Sequence, residues 1–269
     1  MTSLTPSAVE HATEWLGLSE PPTPTLDGLR QVYSRWCTRV PFDNLLIRQS
    51  LAAGARVVQG MRPEEFLRTA REQGVGNLCM ESAEALHALL SAYGFDAALG
   101  LCQIGADSGT LRANHVTVLV AIGTTRYIVD TTLLTGFPLP LVHGARLSGV
   151  APYAVDRHPN GFWELSTLTL VGRKPKLIRL LAVTRVPEVS EALYQSLQGP
   201  DYRAANSVFF AQLGTDDGAI LTFSRGSLYR TTSSGIEHTA LPDTAAARQS
   251  LVDNFGMSPS ATSKLPPDT

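Results

Sequence analysis

The apolar spacing of this chain changes character at Gly94, and that single switch constrains the fold more than any other feature. Before it, apolar residues recur at helical intervals. Ala8, Ala12, Trp15 and Leu16 share one face of a helix expected over residues 6–17. Pro21, Pro22 and Pro24 break the chain, and Thr25 or Asp27 can cap a second helix through Leu29, Val32, Tyr33 and Trp36. Pro41 disfavours helix at the residue before it. A short helix is expected to start near Pro63, with Glu64 and Glu65 at the positive end of its dipole. Cys79, Ala83, Leu86, Leu90 and Tyr93 form the last helical stripe, which Gly94 can terminate.

Beyond Gly94 the pattern is that of strands. Residues 97–104, 114–122 and 125–130 are rich in Val, Ile and Leu. Residues 131–153 read as loops over a barrel or sheet, followed by strands at Trp163–Leu170 and Lys176–Ala182. A helix is expected over 187–198, a hairpin from Phe209–Leu213 through Asp217-Gly218 to Ala219–Phe223, and a final helix over Thr244–Phe255. The tail from 258 to 269 has the composition of a disordered segment. Helices, then strands, then mixed elements favour an α+β fold over a doubly wound parallel sheet.

Composition excludes several roles. A net charge of -2 offers no basic surface for nucleic acid. No apolar run reaches the ~18 residues of a membrane span. The first residues lack a basic stretch followed by an apolar block, so no signal peptide is expected. Cys37, Cys79 and Cys102 are odd in number and widely spaced, which fits free thiols in a cytoplasmic protein better than a disulfide framework.

Three residues carry candidate chemistry. Cys79 opens a helix after the turn Gly74-Val75-Gly76-Asn77, and a helix N-terminus favours the thiolate and can bind an oxyanion. Cys37 and Cys102 lie inside a helix and a strand and read as packing. His115 and Asp130 occupy neighbouring strands joined at Gly123-Thr124. A two-residue type II′ turn there pairs Ile122 with Thr125, so Asp130 becomes the diagonal same-face neighbour of His115, roughly 7 Å away between Cβ atoms. A one-residue slip would put the two on opposite faces. Nucleophile, base and orienting acid together point to acyl transfer through a thioester. Neither Cys-x-x-Cys nor His-x-x-x-His spacing is present, so no metal is expected, and no phosphate-binding glycine motif opens a helix.

At these residues the chain resembles the arylamine N-acetyltransferase family. Val40-Pro41-Phe42-Asp43-Asn44-Leu45 is similar to the family's Pro-Phe-Glu-Asn-Leu, and Gly74-Val75-Gly76-Asn77-Leu78-Cys79-Met80-Glu81 to its Arg-Gly-Gly-x-Cys-x-Glu. Asn114-His115-Val116 and Tyr127-Ile128-Val129-Asp130 resemble its His and Val-Asp strands. Asn206-Ser207-Val208-Phe209 followed by Asp217-Gly218 resembles its late Ser-x-Phe segment. The resemblance spans residues 6–240 or so. It implies a helical bundle over 1–95 carrying Cys79, a β-barrel over 96–186 carrying His115 and Asp130, and an α/β lid over 187–257. It implies a cysteine-protease-like triad and a ping-pong reaction in which acetyl-CoA, or another acyl thioester, acylates Cys79 and an amine such as an arylamine takes the acyl group. Phe42, Leu133 and Phe209 fall where the family lines its substrate cleft.

Two departures separate this chain from the pattern. Val75 and Asn77 replace the family's Arg and second Gly, and Asp43 replaces its Glu, so the expected ion pair is absent and Asp43 needs solvent or another partner. Thr131-Thr132-Leu133-Leu134 replaces x-Gly-Phe-Gly, which predicts a reshaped cleft with less preference for a flat aromatic amine. Gly136-Phe137-Pro138 follows and offers a shifted equivalent. These changes keep three alternatives open: an amide synthase releasing a longer chain from an acyl carrier protein, a hydrolase, and a binding homologue without turnover.

Overall fold

The computed structural model describes residues 4–55, 60–105, 112–185 and 206–265. Five helices come first. Helix α1 spans Pro6–Trp15 with Thr5 capping Ala8, and α2 spans Leu26–Arg39 with Thr25 capping Gly28. Val40 turns extended ahead of Pro41, as the proline requires. A two-residue strand β1, Phe42–Asp43, leads into α3, Leu45–Ala52. The sequence reading has no helix here. Asn44 precedes it without a side-chain cap, because its Oδ1 accepts from Phe210 N–H while its Nδ2 donates to Asn206 and the Val208 carbonyl. Helices α4, Pro63–Gln73, and α5, Cys79–Ala92, follow and pack on each other. Ala83, Leu86, Leu90 and Tyr93 are buried as their spacing predicts, whereas Cys79 is only half-buried.

Eight antiparallel strands curl into a nearly closed barrel. In chain order they are β2 Asp96–Ile104, β3 His115–Ile122, β4 Thr125–Val129, β5 Leu139–Pro140, β6 Ala145–Ser148, β7 Pro152–Arg157, β8 Trp163–Leu168 and β9 Pro175–Thr184. Their spatial order is β5-β4-β3-β2-β9-β8-β7-β6. Leu119, Ile128, Val155, Leu165 and Ile178, from five of these strands, meet in one apolar interior, which shows how far the sheet curls. The other face of β2 and β3 packs on α5 in the main helical core. Residues 131–153, read as loops, in fact hold β5, β6 and the start of β7. These strands are short and interrupted by Pro and Gly, so they carry too few residues to display a period.

A second sheet, again antiparallel, has the order β1-β10-β11-β12-β13. Its later strands are β10 Phe210–Gly214, β11 Ile220–Ser224, β12 Ser227–Thr231 and β13 Ile236–Ala240. Strand β13 is exposed throughout, which hides it from a hydrophobic-pattern reading. Helix α6, Thr244–Phe255, matches its expected bounds, and α7, Pro259–Ser263, follows. The expected disorder of the tail is thus corrected over 258–265. Ser258 caps Ala261, and buried Ala261 joins the apolar cluster under the second sheet. The helix expected over 187–198 lies outside the described residues. Among the described residues no helix is long and apolar enough to cross a membrane.

The C-terminal ends of α4 and α6 meet backbone to backbone. Helix α4 ends at Gly74 and α6 at Gly256, both in the left-handed region. A Cβ on Gly74 would stand 1.9 Å from the Gly256 carbonyl oxygen, and Ser258 N–H bonds the Gln73 carbonyl. Gly74→Ala is therefore expected to destabilise the fold by more than about 2 kcal/mol in urea unfolding, with both conformational strain and a backbone clash contributing.

Candidate active site

Cys79 occupies the first position of α5, at the end of a loop held against β1. Phe42 forms a parallel bridge to Asn77. Gly76 lies so close to this strand that a Cβ would come within 1.7 Å of the Pro41 carbonyl oxygen. The fully buried Asp43 carboxylate accepts a hydrogen bond from Gly76 N–H at 2.7 Å and another from Leu45 N–H at 2.9 Å. Asp43 thus finds its partners in two backbone donors. Burial nevertheless raises its pKa to about 6, with those donors pulling the other way. Val75 sits in the apolar cluster with Phe209, Leu251 and Phe255, so the position of the family's Arg is here part of a core.

The hairpin register places the other two residues. Strands β3 and β4 pair Ile122 with Thr125 and Val118 with Val129 around the Gly123-Thr124 turn, with Gly123 at φ 59. This is the expected register. His115 Nε2 and Asp130 Oδ2 stand 2.7 Å apart, both fully buried. The Cys79 sulfur lies near enough to His115 to bear on its protonation. With Nε2 on the acid, Nδ1 is the ring nitrogen left to face sulfur. The structure therefore brings Cys79, His115 and Asp130 together.

Asp130 is itself tightly held. Its Oδ1 accepts from Thr132 N–H at 2.9 Å, the Thr132 hydroxyl at 2.8 Å and Leu133 N–H at 3.1 Å. Tyr33, a core residue of α2, donates its hydroxyl to the Asp130 carbonyl at 2.7 Å and accepts from Asp130 N–H at 3.2 Å. Burial alone would raise the Asp130 pKa, but His115 and these donors hold it well below the usual carboxylate range. Burial would likewise lower His115, yet Asp130 and the Cys79 sulfur outweigh it and push His115 up to about 10. The imidazole is thereby favoured as a cation against the Asp130 carboxylate.

A cleft of about 1040 Å³ borders this centre. Thr132 and Leu133, whose backbones bind Asp130, line it together with Phe42. Phe42 and Leu133, two of the residues singled out by the resemblance, thus line this cleft. Phe209 does not. It is 1% exposed and packs on Phe223 in the core beneath the second sheet. Strand alternation explains the correction. Phe209, Ala211 and Leu213 face that core, while Phe210 turns to the cleft and meets Phe42 with ring centroids 5.4 Å apart. The alternation was available in the sequence as the signal for Phe210. Phe137 packs edge-on against Tyr153 and does not line this cleft.

The stretch that departs from Gly-Phe-Gly keeps a glycine-like path. Leu134 adopts φ 48, a left-handed conformation that costs a non-glycine residue roughly 1 kcal/mol. Its side chain is buried in the helical core, which offsets that strain.

Residues 25–149 match the model of the family described as N-acetyltransferase, and this stretch contains Cys79, His115 and Asp130. That segment is similar to the N-acetyltransferase family. Solved acetyltransferase structures agree along nearly the whole chain. Arylamine N-acetyltransferase from Mycobacterium marinum, in complex with CoA, is 18% identical, with a TM-score of 0.80 over 96% of this chain and 98% of that one. The enzyme from Salmonella typhimurium is 18% identical, with a TM-score of 0.79 over 97% and 98% of the two chains. One from Bacillus cereus, reported with a Cys-His-Glu catalytic triad, is 16% identical, with a TM-score of 0.74 over 95% and 100%. At these identities the likeness establishes the acetyltransferase fold. No curated protein sequence matches the chain.

The raised His115 pKa makes a stability prediction. Its ordinary value is 6.5, so the folded chain holds this proton more tightly than the unfolded chain. The resulting stabilisation is complete below about pH 6.5 and is lost as pH rises toward 10. The difference in unfolding free energy between the parent and His115→Gln is expected to be constant from pH 5 to 6.5 and to shrink by on the order of a few kcal/mol by pH 10, read by urea titration.

Proposed function

We propose that this protein is an N-acyltransferase that carries its acyl group on Cys79. The observation that carries the reading is the buried His115–Asp130 contact, at 2.7 Å, with the half-buried thiol at a helix start on the free side of the ring. The family match over 25–149 supports N-acetyl transfer, and CoA bound in the Mycobacterium marinum relative supports acetyl-CoA as donor. The acceptor is a small-molecule amine, of which an arylamine is the first candidate.

The geometry supports the following cycle. The Cys79 thiolate attacks the thioester carbonyl, and N–H groups of the first turn of α5 hold the oxyanion. The departing CoA thiolate takes the proton from the His115 imidazolium. Neutral His115 then accepts a proton from the amine as its nitrogen attacks the acyl-cysteine. Collapse releases the amide and restores the thiolate–imidazolium pair. Asp130 keeps Nε2 protonated and the ring oriented throughout, without itself gaining a proton.

In this reading residues 1–95 supply the nucleophile, 96–186 the base and acid, and 187–257 a cover over the cleft. The free cysteines Cys37, Cys79 and Cys102 suit a cytoplasmic setting. A cleft of about 1040 Å³ is larger than an acetyl group and one aromatic ring fill, which favours, as a second reading, longer acyl groups on CoA or on a carrier arm.

Intact-mass measurement after incubation with acetyl-CoA tests the proposal. One acetyl adduct is expected on the parent and none on Cys79→Ala, with the adduct discharged by an added arylamine. No adduct with any acyl thioester, short or long, would leave only a non-transferring homologue.

A further inference from the structure

Lys176, on β9, lines the cleft beside the triad. Its side chain is half-buried and makes no hydrogen bond or ion pair among the described residues. Burial lowers its pKa, opposed by attraction to Asp130 and to the Cys79 sulfur. Thr167, on β8, is the residue directly opposite Lys176 in the ladder and so shares its face. Thr167 is 7% exposed, lines the same cleft, and its hydroxyl has no hydrogen-bond partner among the described residues. No Asp or Glu lines the cleft among the described residues, and its one other charged side chain is Arg225, exposed at the turn after β11.

A buried hydroxyl and a partly desolvated ammonium, adjacent and without hydrogen-bond partners among the described residues, favour a ligand that completes them. We propose that Lys176 and Thr167 form a carboxylate-binding subsite, taking a carboxylate carried by the substrate that occupies the cleft. The ammonium pairs with one carboxylate oxygen and the Thr167 hydroxyl donates to the other. Phe42, Phe210 and Leu133 provide an apolar wall for the rest of the molecule. CoA phosphates are a poorer match for this cation, because a long pantetheine arm separates them from the thioester sulfur, whereas Lys176 feels the charge at Cys79. The carboxylate therefore belongs either to the amine acceptor or to the transferred acyl chain. This deepens the acyltransferase reading and rests on it for the roles of donor and acceptor.

Calorimetric titration of the Cys79→Ala protein, which needs no turnover, tests the subsite. One arm compares 4-aminobenzoate with 4-aminobenzamide, and the other compares succinyl-CoA with butanoyl-CoA. A preference for the carboxylate member of about tenfold is expected in one arm, which identifies the source. The preference should collapse toward one in Lys176→Met, persist in Lys176→Arg, and fall part-way in Thr167→Val. Ratios near one in both arms, or a ratio unchanged by Lys176→Met, would overturn the proposal. Each ratio is measured within one protein, so a general loss of stability does not mimic the result. A carboxylate preference in a protein whose parent shows no acyl adduct would leave the subsite standing and remove the transferase reading.

Discussion

Everything at the centre of this molecule depends on Asp130 remaining an anion inside the protein. A buried carboxylate is costly unless its lone pairs are filled. Here they are filled completely by local structure. The 131–134 turn folds back so that two backbone N–H groups and a hydroxyl reach one oxygen, and His115 takes the other. Tyr33 fixes the main chain of the same residue from the helical side. The helices and the barrel are thus joined through the acid rather than only by apolar packing. The anion in turn supports the imidazolium, whose other side faces Cys79. Removing the anion would undo the charge state of the ring.

The second constraint is close backbone approach. Three parts of the chain touch through main-chain atoms: the loop before Cys79 on β1, the end of α4 on the end of α6, and β1 on β10. Glycine at 74 and 76 makes the first two contacts possible. Asp43 and Asn44 then direct adjacent side chains to different ends of the structure. Asp43 goes to the nucleophile loop and Asn44 to the backbone of Phe210 and Val208. A dipeptide at the end of a two-residue strand thereby aligns the Cys79 loop with the second sheet.

Much of this was legible in the sequence where a local rule governs the outcome. Proline and threonine caps set α1 and α2, Gly74 closed α4, and a two-residue turn fixed the register that joins His115 to Asp130. The α+β class followed from the change of period at Gly94. What escaped the reading depends on distant partners. Helix α3 is preceded by Asn44, whose side chain binds across the molecule instead of capping it, β13 is exposed and shows no apolar period, and Tyr33 looked like any core aromatic. Phe209 was placed in the cleft by motif similarity, whereas alternation along its own segment assigns that place to Phe210. Lys176 and Thr167 carry no local signal. They become a pair only through the β8–β9 ladder.

The position of β1 has a consequence for how the chain matures as it leaves the ribosome. Asn44 and Phe210 are hydrogen-bonded partners 166 residues apart. The strand against which the Cys79 loop rests can be completed only after nearly the whole polypeptide has emerged. Contacts of such separation form late, because the intervening chain must be ordered first. Helices and barrel can therefore be in place while the thiol still lacks its final setting. The Cys79 thiol is brought to its final setting among the last events of folding, after the helices and barrel that surround it.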